Sequence, residues 1–383
     1  MIKRNAKDKI LEMAGKFPVL AFLGPRQSGK TTLAKMLFPD YHYVSLENPA
    51  VKEFATIDPG GFFRQFSGNV ILDEVQNLPQ LFSYIQTIAD ESNRPGQFIL
   101  SGSQNFLLLE KITQTLAGRI YLFDLLPLSY SELKVATKLT WNDVIFNGGY
   151  PRIYDKDIHP TDFYPSYIKT YVERDVRSII NVHDLRTFKK FLILCASLNG
   201  QIFNANSLSK DLGVSVKTVQ SWMSILETSY IVFLLRPWHK NFTKRTVKSP
   251  KIYFYDTGLV CSLLGIESAD ELITSEFKGP LFENYAILEI IKNHKNTGVN
   301  RNYFYWRDSN GNEIDFIIEK GNQVQCVEMK ASQTIKGEFI KRLHYLDVLE
   351  KKIKFSHYLF CTTEKTQQRS NETIISWKDG VKI

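Results

Sequence analysis

The chain has 383 residues, of which 43% are hydrophobic and 13% aromatic, and this composition excludes a disordered protein and indicates two or three globular domains. Its formal net charge of +8 suits a polyanionic partner, although basic charge alone is weak support for one. No apolar run approaches the roughly 18 residues that would span a membrane. The four cysteines contain no Cys-x-x-Cys pair, which argues against a disulfide framework or a structural zinc site. The N-terminal segment predicts an amphipathic helix and not a signal peptide, so we expect a cytoplasmic protein.

The first motif is a glycine-rich loop between a strand and a helix. The apolar run 19–23 leads into Gly24-x-x-x-x-Gly29-Lys30-Thr31, and a helical pattern follows. This context predicts a Walker A loop, in which glycines let the backbone curl around a phosphate. We expect Lys30 to reach the β- and γ-phosphates of ATP and Thr31 to ligate Mg²⁺. The predicted nucleotide-binding residues are Gly24, Pro25, Arg26, Gln27, Ser28, Gly29, Lys30, Thr31 and Thr32.

A second apolar run, 70–72, ends in the acid pair Asp73-Glu74. We expect Asp73 to hold Mg²⁺ through water and Glu74 to polarise the attacking water, a pairing that favours a hydrolase. The alternative is that both acids cap the next helix.

The strand that follows ends in polar residues that would face the γ-phosphate. Ser101, Ser103 or Gln104 is the candidate sensor, and Ser103 is favoured. Arg119, after Gly118, is a candidate charge-stabilising arginine for its own site or a neighbour's. A surface arginine is an equal alternative there.

Strands near 19–23, 43–46, 69–72, 97–101 and 120–124 alternate with helices. This alternation predicts an α/β fold with a parallel sheet that is covered on both faces.

The order of short motifs over residues 1–180 resembles that of AAA-type, archaeal-ATPase-like P-loop ATPases that carry a C-terminal domain of unknown function. The motifs are GPRQSGKTT, ILDEVQ, LSGSQ, AGRI, LPLSYSE, GGYPR and YVERDV. Because related machines often work as rings, the resemblance implies a homo-oligomer such as a hexameric ring. Arg174 and Arg177 share a helical face and are candidates for nucleotide contact, or they pair with Glu173 or Asp184 in a lid.

Residues 187–260 have a different pattern. Two helices that meet near Gly213 are followed by a strand, a basic loop and another strand, an order typical of a winged helix. Few positive charges on the longer helix favour shape- or backbone-directed DNA binding, and a protein-packing module is the alternative. The candidate DNA contacts are Lys217, Gln220, Ser221, Lys240, Lys244, Arg245 and Lys248.

The stretch 311–332 predicts two strands joined by a Gly321-Asn322 turn. That turn pairs Lys320 with Gln323 and places Asp315 opposite Glu328, while Lys330 shares the face of Glu328. Opposed carboxylates repel each other, and a divalent cation would offset the repulsion.

This spacing, with Glu283 on an upstream helix, resembles the PD-(D/E)xK nuclease superfamily. The resemblance implies a mixed α/β domain in which Asp315 and Glu328 bind a divalent metal and Glu283 and Lys330 complete a catalytic site. A nuclease fold that has lost catalysis and only packs or binds DNA is the alternative.

These patterns predict three domains: a P-loop ATPase with its lid at 1–180, a winged helix at 181–260 and a nuclease-like domain at 261–383. We expect a Mg²⁺-dependent ATPase that remodels or translocates on branched or forked DNA. Two alternatives stay open. One is an NTP-gated DNA nuclease in defence, and the other is a regulatory or protein-remodelling ATPase that binds no nucleic acid.

Overall fold

The computed structural model of the protein describes residues 2–66, 68–102, 114–133, 139–172, 185–238 and 248–383. Several candidate residues lie outside these ranges, so their roles stay predictions: Ser103, Gln104, Glu173, Arg174, Arg177, Asp184, Lys240, Lys244 and Arg245. The chain forms two compact units. The first contains Met1–Pro127, Thr228–Tyr230 and Lys295–Val299, and the second contains Leu128–Glu227, Ile231–His294 and Asn300–Ile383.

The sheet of the first unit has five parallel strands in the order β2-β3-β4-β1-β5. The strands are β1 (Val19–Leu23), β2 (His42–Ser45), β3 (Val70–Asp73), β4 (Phe98–Ser101) and β5 (Ile120–Asp124). The helices are α1 (Lys7–Ala14), α2 (Lys30–Leu37), α3 (Pro49–Ile57), α4 (Pro59–Arg64) and α5 (Leu81–Ser92), with a 3₁₀ turn at Val75–Asn77. The predicted α/β fold with a parallel sheet is therefore confirmed.

The three central strands, β1, β3 and β4, are buried on both faces, which explains why they are apolar up to their carboxyl ends, whereas the edge strands β2 and β5 are partly exposed. Alternate residues of one strand enter two different cores. Val70 and Leu72 pack on one face, whereas Ile71 packs on the other. The strands therefore leave their polar residues for the carboxyl ends, where Asp73 and Ser101 lie.

The helices of the second unit precede its strands or lie between them. They are α6 (Tyr130–Leu133), α7 (Trp141–Asn147), α8 (Pro151–Asp155), α9 (Pro160–Tyr167), α10 (Leu185–Ser197), α11 (Ala205–Leu212), α12 (Val216–Thr228), α13 (Thr257–Leu263), α14 (Ala269–Thr274), α15 (Lys278–Asn296), α16 (Gly337–Leu343) and α17 (Tyr345–Leu349). A π-helical turn spans Ile168–Val172 and a 3₁₀ turn spans Gly380–Lys382. Among the described residues, no helix combines the length and the apolar character that crossing a membrane requires.

A mixed sheet of eight strands completes this unit, in the order β12-β13-β11-β10-β9-β8-β6-β7. The strands are β6 (Val232–Pro237), β7 (Lys251–Phe254), β8 (Asn302–Arg307), β9 (Glu313–Lys320), β10 (Gln323–Lys330), β11 (Lys354–Cys361), β12 (Gln367–Gln368) and β13 (Thr373–Ser376). Strand β6 pairs with β7 in antiparallel and with β8 in parallel orientation. The sheet therefore runs across the boundary that the sequence predicts at 260/261.

The predicted boundary at 180/181 also differs from the division between the compact units, which falls between Pro127 and Leu128. A buried carboxylate explains why the segment after Leu128 stays in the second unit. Asp256 Oδ2 accepts a hydrogen bond from the Gly149 N–H at 2.7 Å, and Asp256 Oδ1 accepts one from the Tyr164 hydroxyl at 2.6 Å. The double-glycine loop at 148–149 is thus held by a residue more than a hundred positions later.

Candidate nucleotide site and acidic cluster

The glycine-rich loop has the backbone that phosphate binding requires. Gly24 has φ +141°, and a Cβ built there would lie 2.3 Å from the Leu125 carbonyl oxygen, so no side chain fits. Gly29, with φ +94°, precedes α2 directly, and Gln27 also has a positive φ of 62°. The loop therefore passes through left-handed turns that aim amides toward the helix start.

Lys30 is buried and its ammonium is held by the loop itself. Its Nζ donates to the carbonyl oxygens of Gly24 at 3.0 Å and Pro25 at 2.8 Å. Burial lowers the pKa of Lys30 to about 8, while Glu74 and Asp73 oppose that shift. A desolvated ammonium in a loop of this kind is suited to an anionic ligand.

Thr31 and Asp73 are in direct contact. The Thr31 hydroxyl lies 3.1 and 3.0 Å from the two carboxylate oxygens of Asp73 and donates to them. The two residues that should hold a hydrated Mg²⁺ therefore lie side by side, and hard oxygen ligands of this kind fit that ion.

The sequence analysis missed Tyr43, which also contacts Asp73. Its hydroxyl donates to Asp73 Oδ2 at 2.9 Å, and burial together with Asp73 raises the pKa of Tyr43 to about 12. The Nζ of Lys35 lies 3.3 Å from the centre of the Tyr43 ring. The contact of Tyr43 with Asp73 could have been predicted from the neighbouring strand, because the register places the end of β2 beside Asp73.

Glu74 and Ser101 flank this acid. Glu74 has a left-handed backbone, with φ 56°, and its carboxylate accepts a hydrogen bond from the Gln76 amide. Ser101 is paired in register with Asp73, and its buried Oγ makes no hydrogen bond within the described part of the chain. Of the three candidate sensors, Ser101 is the one whose position the structure describes.

Arg119 lies at the other edge of the sheet. Its backbone carbonyl accepts from the Val19 N–H, at the amino end of β1, whereas the phosphate loop follows the carboxyl end. Four residue steps along a strand span about 13 Å. Arg119 instead binds Asp90 through Nε and, at 2.9 Å, through Nη2. This placement does not bring it to the phosphate loop of its own chain.

The second candidate site is the hairpin of β9 and β10. Its register pairs Lys320 with Gln323 and Phe316 with Val327, as the sequence analysis predicts. Continuing that register sets Asp315 against Glu328. Asp315 Oδ2 accepts from the Met329 N–H at 2.8 Å, and Lys330 Nζ lies 3.3 Å from the same oxygen.

Glu328 is completely buried beside these groups. Lys330 Nζ lies 2.7 Å from Glu328 Oε1 as an ion pair, while Glu328 Oε2 makes no hydrogen bond within the described residues. Burial, reinforced by Asp315, raises the pKa of Glu328 to about 8, and Lys330 opposes the shift. Burial also opposes the charge of Lys330, but Asp315 and Glu328 outweigh it and raise the pKa of Lys330.

Glu283 joins this cluster through partners that the sequence did not predict. Its Oε1 accepts from Lys251 Nζ at 3.2 Å and from the Tyr253 hydroxyl, and Lys251 also pairs with Glu313. Burial raises the pKa of Glu283, Lys251 lowers it, and Asp315 raises it further. Lys251 lies at the end of the basic loop of the predicted winged helix, but it is buried and pairs with these acids.

Helix α12 has an exposed polar side and a buried apolar side. Lys217, Gln220 and Ser221 are exposed, whereas Trp222 and Leu226 are buried in the core. Lys248 is exposed as well. The polar side of this helix is therefore free of the core contacts that its apolar side makes.

Three family models match successive parts of the chain. Residues 16–134 match the AAA domain, residues 138–270 match a domain of unknown function (DUF8612), and residues 278–379 match another domain of unknown function (DUF4143). With the loop geometry and the Thr31–Asp73 contact, the first match defines the class of the N-terminal part: it is an AAA-type P-loop ATPase domain.

The relatives of the whole chain are uncharacterized proteins. One from Mycobacterium bovis and one from Mycobacterium tuberculosis are each 28% identical over 338 residues, which cover 87% of this chain and 74% of the relative. Among solved structures, a Walker-type ATPase of Pyrococcus abyssi is 14% identical, with a TM-score of 0.45, over 67% of this chain and 94% of that one. A RuvB variant of Thermotoga maritima is 18% identical, with a TM-score of 0.32, over 61% of this chain and 90% of that one.

Proposed function

We propose that the protein is a Mg²⁺-dependent ATPase that acts on DNA, with branched or forked DNA as the favoured substrate. The observation that carries the ATPase part is the convergence of Lys30, Thr31 and Asp73 at the carboxyl edge of the parallel sheet. The proposal that the protein acts on DNA rests on the segment that follows this domain.

Each residue of the nucleotide site has a distinct task. Lys30 moves from the loop carbonyls to the β- and γ-phosphates, and the loop amides surround the β-phosphate. Thr31 and Asp73 would hold Mg²⁺, which would supply positive charge to the transferred phosphoryl group. Glu74 orients and polarises the attacking water, and Ser101 senses the γ-phosphate from the adjacent strand.

DNA contact is assigned to residues 181–260, interpreted as a winged helix. Helices α11 and α12, joined at Gly213 with φ +67°, precede the antiparallel pair of β6 and β7. The exposed Lys217 and Gln220 of α12, with the candidate basic residues Lys240, Lys244, Arg245 and Lys248, would contact phosphates. Backbone contacts of this kind favour DNA shape over base sequence.

The proposed assembly is a homo-oligomer, for which a hexameric ring is the favoured form. In such an assembly an arginine from one chain completes the site of the next. Arg119, Arg174 and Arg177 are the candidates, and for Arg119 the alternatives are the neighbour's site or a surface arginine paired with Asp90.

ATP hydrolysis measured with single-stranded, duplex, forked and junction DNA tests this proposal. We expect forked or junction DNA to raise the rate most, and Lys30→Ala to abolish hydrolysis with every DNA. Lys217→Ala with Lys248→Ala should weaken the stimulation and leave the DNA-free rate unchanged. A rate that no DNA changes, together with the absence of salt-sensitive DNA binding, would instead favour a protein-remodelling ATPase.

A second candidate function, an NTP-gated DNA nuclease in defence, is favoured by one observation. Buried Glu328 lies beside Asp315, its Oε1 is paired with Lys330, and its Oε2 makes no hydrogen bond within the described residues, so the two acids are suited to a divalent cation. Asp315 and Glu328 would hold the ion, which supplies Lewis acidity and an activated water when it is bound. Lys330 would position that water or the scissile phosphate, and Glu283 would complete the site.

Cleavage of plasmid and junction DNA with Mg²⁺ or Mn²⁺, with and without ATP, separates this function from the first. We expect cleavage that Asp315→Ala removes while ATP hydrolysis persists. Glu338→Gln, an exposed charge change on α16, is the matched control and should cut like the wild type. If neither metal supports cleavage, the C-terminal part binds or packs without cutting.

A further inference from the structure

A cluster of imidazole and carboxylate groups lies apart from both sites described above. His344 precedes α17, Asp347 lies within it and His357 is on β11. Within the described ranges this is the one set of three potential ligands whose donor atoms all lie within 4.8 Å of one another. The acids Glu283, Asp315 and Glu328 do not converge to that extent.

The carboxylate of Asp347 contacts both histidines. Asp347 Oδ2 lies 2.9 Å from His344 Nδ1, and Asp347 Oδ1 lies 3.0 Å from His357 Nε2. The two imidazole rings face each other with their centres 4.0 Å apart. Donor atoms around a tetrahedral ion are separated by roughly 3.3 Å when the metal–ligand bonds are about 2.0 Å, so this set is near the required spacing.

We propose that His344, Asp347 and His357 bind a divalent transition-metal ion of the zinc type. Two imidazole nitrogens and one carboxylate oxygen are a donor set that suits Zn²⁺, whereas Mg²⁺ and Ca²⁺ prefer oxygen ligands alone. Water or an exogenous ligand takes the fourth position. This site is independent of the nucleotide chemistry and of the acidic cluster.

A fourth group supports the assignment from outside the ligand set. Glu372 Oε2 lies 3.7 Å from His344 Nε2, the nitrogen that does not face Asp347. Metal-bound histidines commonly turn their second nitrogen toward a carboxylate, which fixes the tautomer and the ring orientation. Glu372 is a positioning residue in this arrangement, and only 10% of its side chain is exposed.

The exposure of the side chains also suits a bound cation. The side chain of His357 is buried, while 37% of the Asp347 side chain is exposed and opens a route from solvent. All four cysteines are buried, so they offer no competing zinc ligand at the surface.

The ion would fasten the α16–α17 segment to the sheet. His357 pairs in register with Cys326 on β10, two residues before Glu328. Helix α16 packs on the same strand, with Lys330 Nζ 5.9 Å from the Phe339 ring centre. The sequence does not predict this third site, because the chain has no Cys-x-x-Cys pair and these ligands are three and ten residues apart.

Calorimetry tests the proposal. The untagged full chain is stripped of metal with EDTA and then titrated with ZnCl₂ alone. We expect one equivalent of zinc per chain, unaffected by millimolar Mg²⁺. Asp347→Asn and His344→Gln, both at accessible positions, should each weaken binding by at least about tenfold, and Glu372→Gln should weaken it less. His42→Gln, a change at an exposed histidine in the first unit, is the control and should bind as the wild type does.

Cobalt provides a second readout. Co²⁺ in the same site should give the visible absorption of a tetrahedral ion, and Asp347→Asn should remove it while the circular dichroism of the folded chain is unchanged. The proposal is overturned if no saturable equivalent binds, or if Asp347→Asn and His344→Gln bind zinc as tightly as the wild type does. Zinc binding that is lost in Asp315→Asn and kept in Asp347→Asn would also overturn it.

Discussion

The hydroxyl of Thr31 donates to both carboxylate oxygens of Asp73, at 3.1 and 3.0 Å, and so joins the start of α2 to the end of β3. Two oxygen-bearing side chains that are 42 positions apart in the sequence are thereby brought together. Because the strands are parallel, their carboxyl ends meet at one edge of the sheet, and Tyr43 from the neighbouring strand donates to the same carboxylate.

Asp73→Asn tests the charge at this site without removing its shape. The amide oxygen still accepts from Thr31 and Tyr43, so we expect the free energy of unfolding to change by less than about 1 kcal/mol. ATP hydrolysis should fall at least about 100-fold, because the Mg²⁺ site loses its negative charge. Steady-state hydrolysis and nucleotide binding with and without Mg²⁺ are the measurements. Full activity in this variant would contradict the role of Asp73.

Lys30→Met should stabilise the nucleotide-free protein while it abolishes hydrolysis. Burial lowers the pKa of Lys30 from 10.5 to about 8, so the folded state binds fewer protons than the unfolded state between these pH values. Stability contributed by this group therefore rises as the pH increases from about 8 to about 10.5, and below pH 8 the buried charge costs up to about 3 kcal/mol. Urea unfolding at pH 7 and pH 10 measures the effect.

The gain from Lys30→Met should be largest at pH 7 and should shrink at pH 10. Lys52→Met, at an exposed position of α3, is the control and should change the free energy of unfolding by less than about 0.5 kcal/mol. A Lys30→Met protein that is less stable at pH 7 would show that the loop carbonyls compensate for the burial of the ammonium.

The parts of the structure that the sequence predicts best are those fixed by local chemistry. The glycines at 24 and 29, the apolar strands and the two-residue turn at 321–322 each constrain the backbone over a few residues. The turn fixed the register of β9 and β10, and register alone brings Asp315 to Glu328.

The missed features depend on distant partners. Lys251 reads as a wing residue because it ends a basic run, but Glu283 and Glu313 neutralise it in the interior. The pairing of β6 with β8 is equally invisible in the sequence, since their paired residues, Arg236 with Phe304 and Pro237 with Tyr305, are far apart in the chain and carry no turn signal. Asp256 looks like an ordinary helix cap, and its second role at Gly149 appears only in three dimensions.

Arg119→Ala separates a role in the chain's own site from a role in a neighbour's. Arg119 contacts Asp90 at the amino edge of the sheet, so a monomeric sample should hydrolyse ATP within about twofold of the wild-type rate. A loss of more than tenfold that appears only at oligomer-forming concentrations would mean that this arginine acts on the adjacent subunit. Hydrolysis followed across protein concentration, with parallel sedimentation, distinguishes the two outcomes.

Asp256→Ala should destabilise the protein by about 2–4 kcal/mol, because it leaves buried donors without an acceptor. Its carboxylate accepts from the Gly149 N–H, the Tyr164 hydroxyl and the Leu259 N–H. Urea denaturation gives the free energy of unfolding. Asp211→Ala, at an exposed position of α11, is the control and should stay within about 0.5 kcal/mol of the wild type.

Glu328→Gln should remove a pH dependence of stability that its raised pKa creates. The pKa of Glu328 is about 8 in the folded chain and near 4.5 when unfolded, so the folded state binds more protons between these values. The contribution of this group to stability therefore falls as the pH rises from about 4.5 to about 8. We expect Glu328→Gln to be nearly neutral at pH 4.5 and to stabilise by roughly 2–4 kcal/mol at pH 8.5.

Adding Mn²⁺ to the wild type and to Glu328→Gln tests the proposed metal site. If Asp315 and Glu328 hold a divalent ion, Mn²⁺ at pH 8.5 should raise the melting temperature of the wild type, because the ion binds the folded state alone. Glu328→Gln lacks one of the two charges and should respond much less. Glu338→Gln keeps both and should respond like the wild type. Equal responses of all three proteins would place the manganese elsewhere, and the buried Glu328 would then be neutralised by Lys330 and by its own proton.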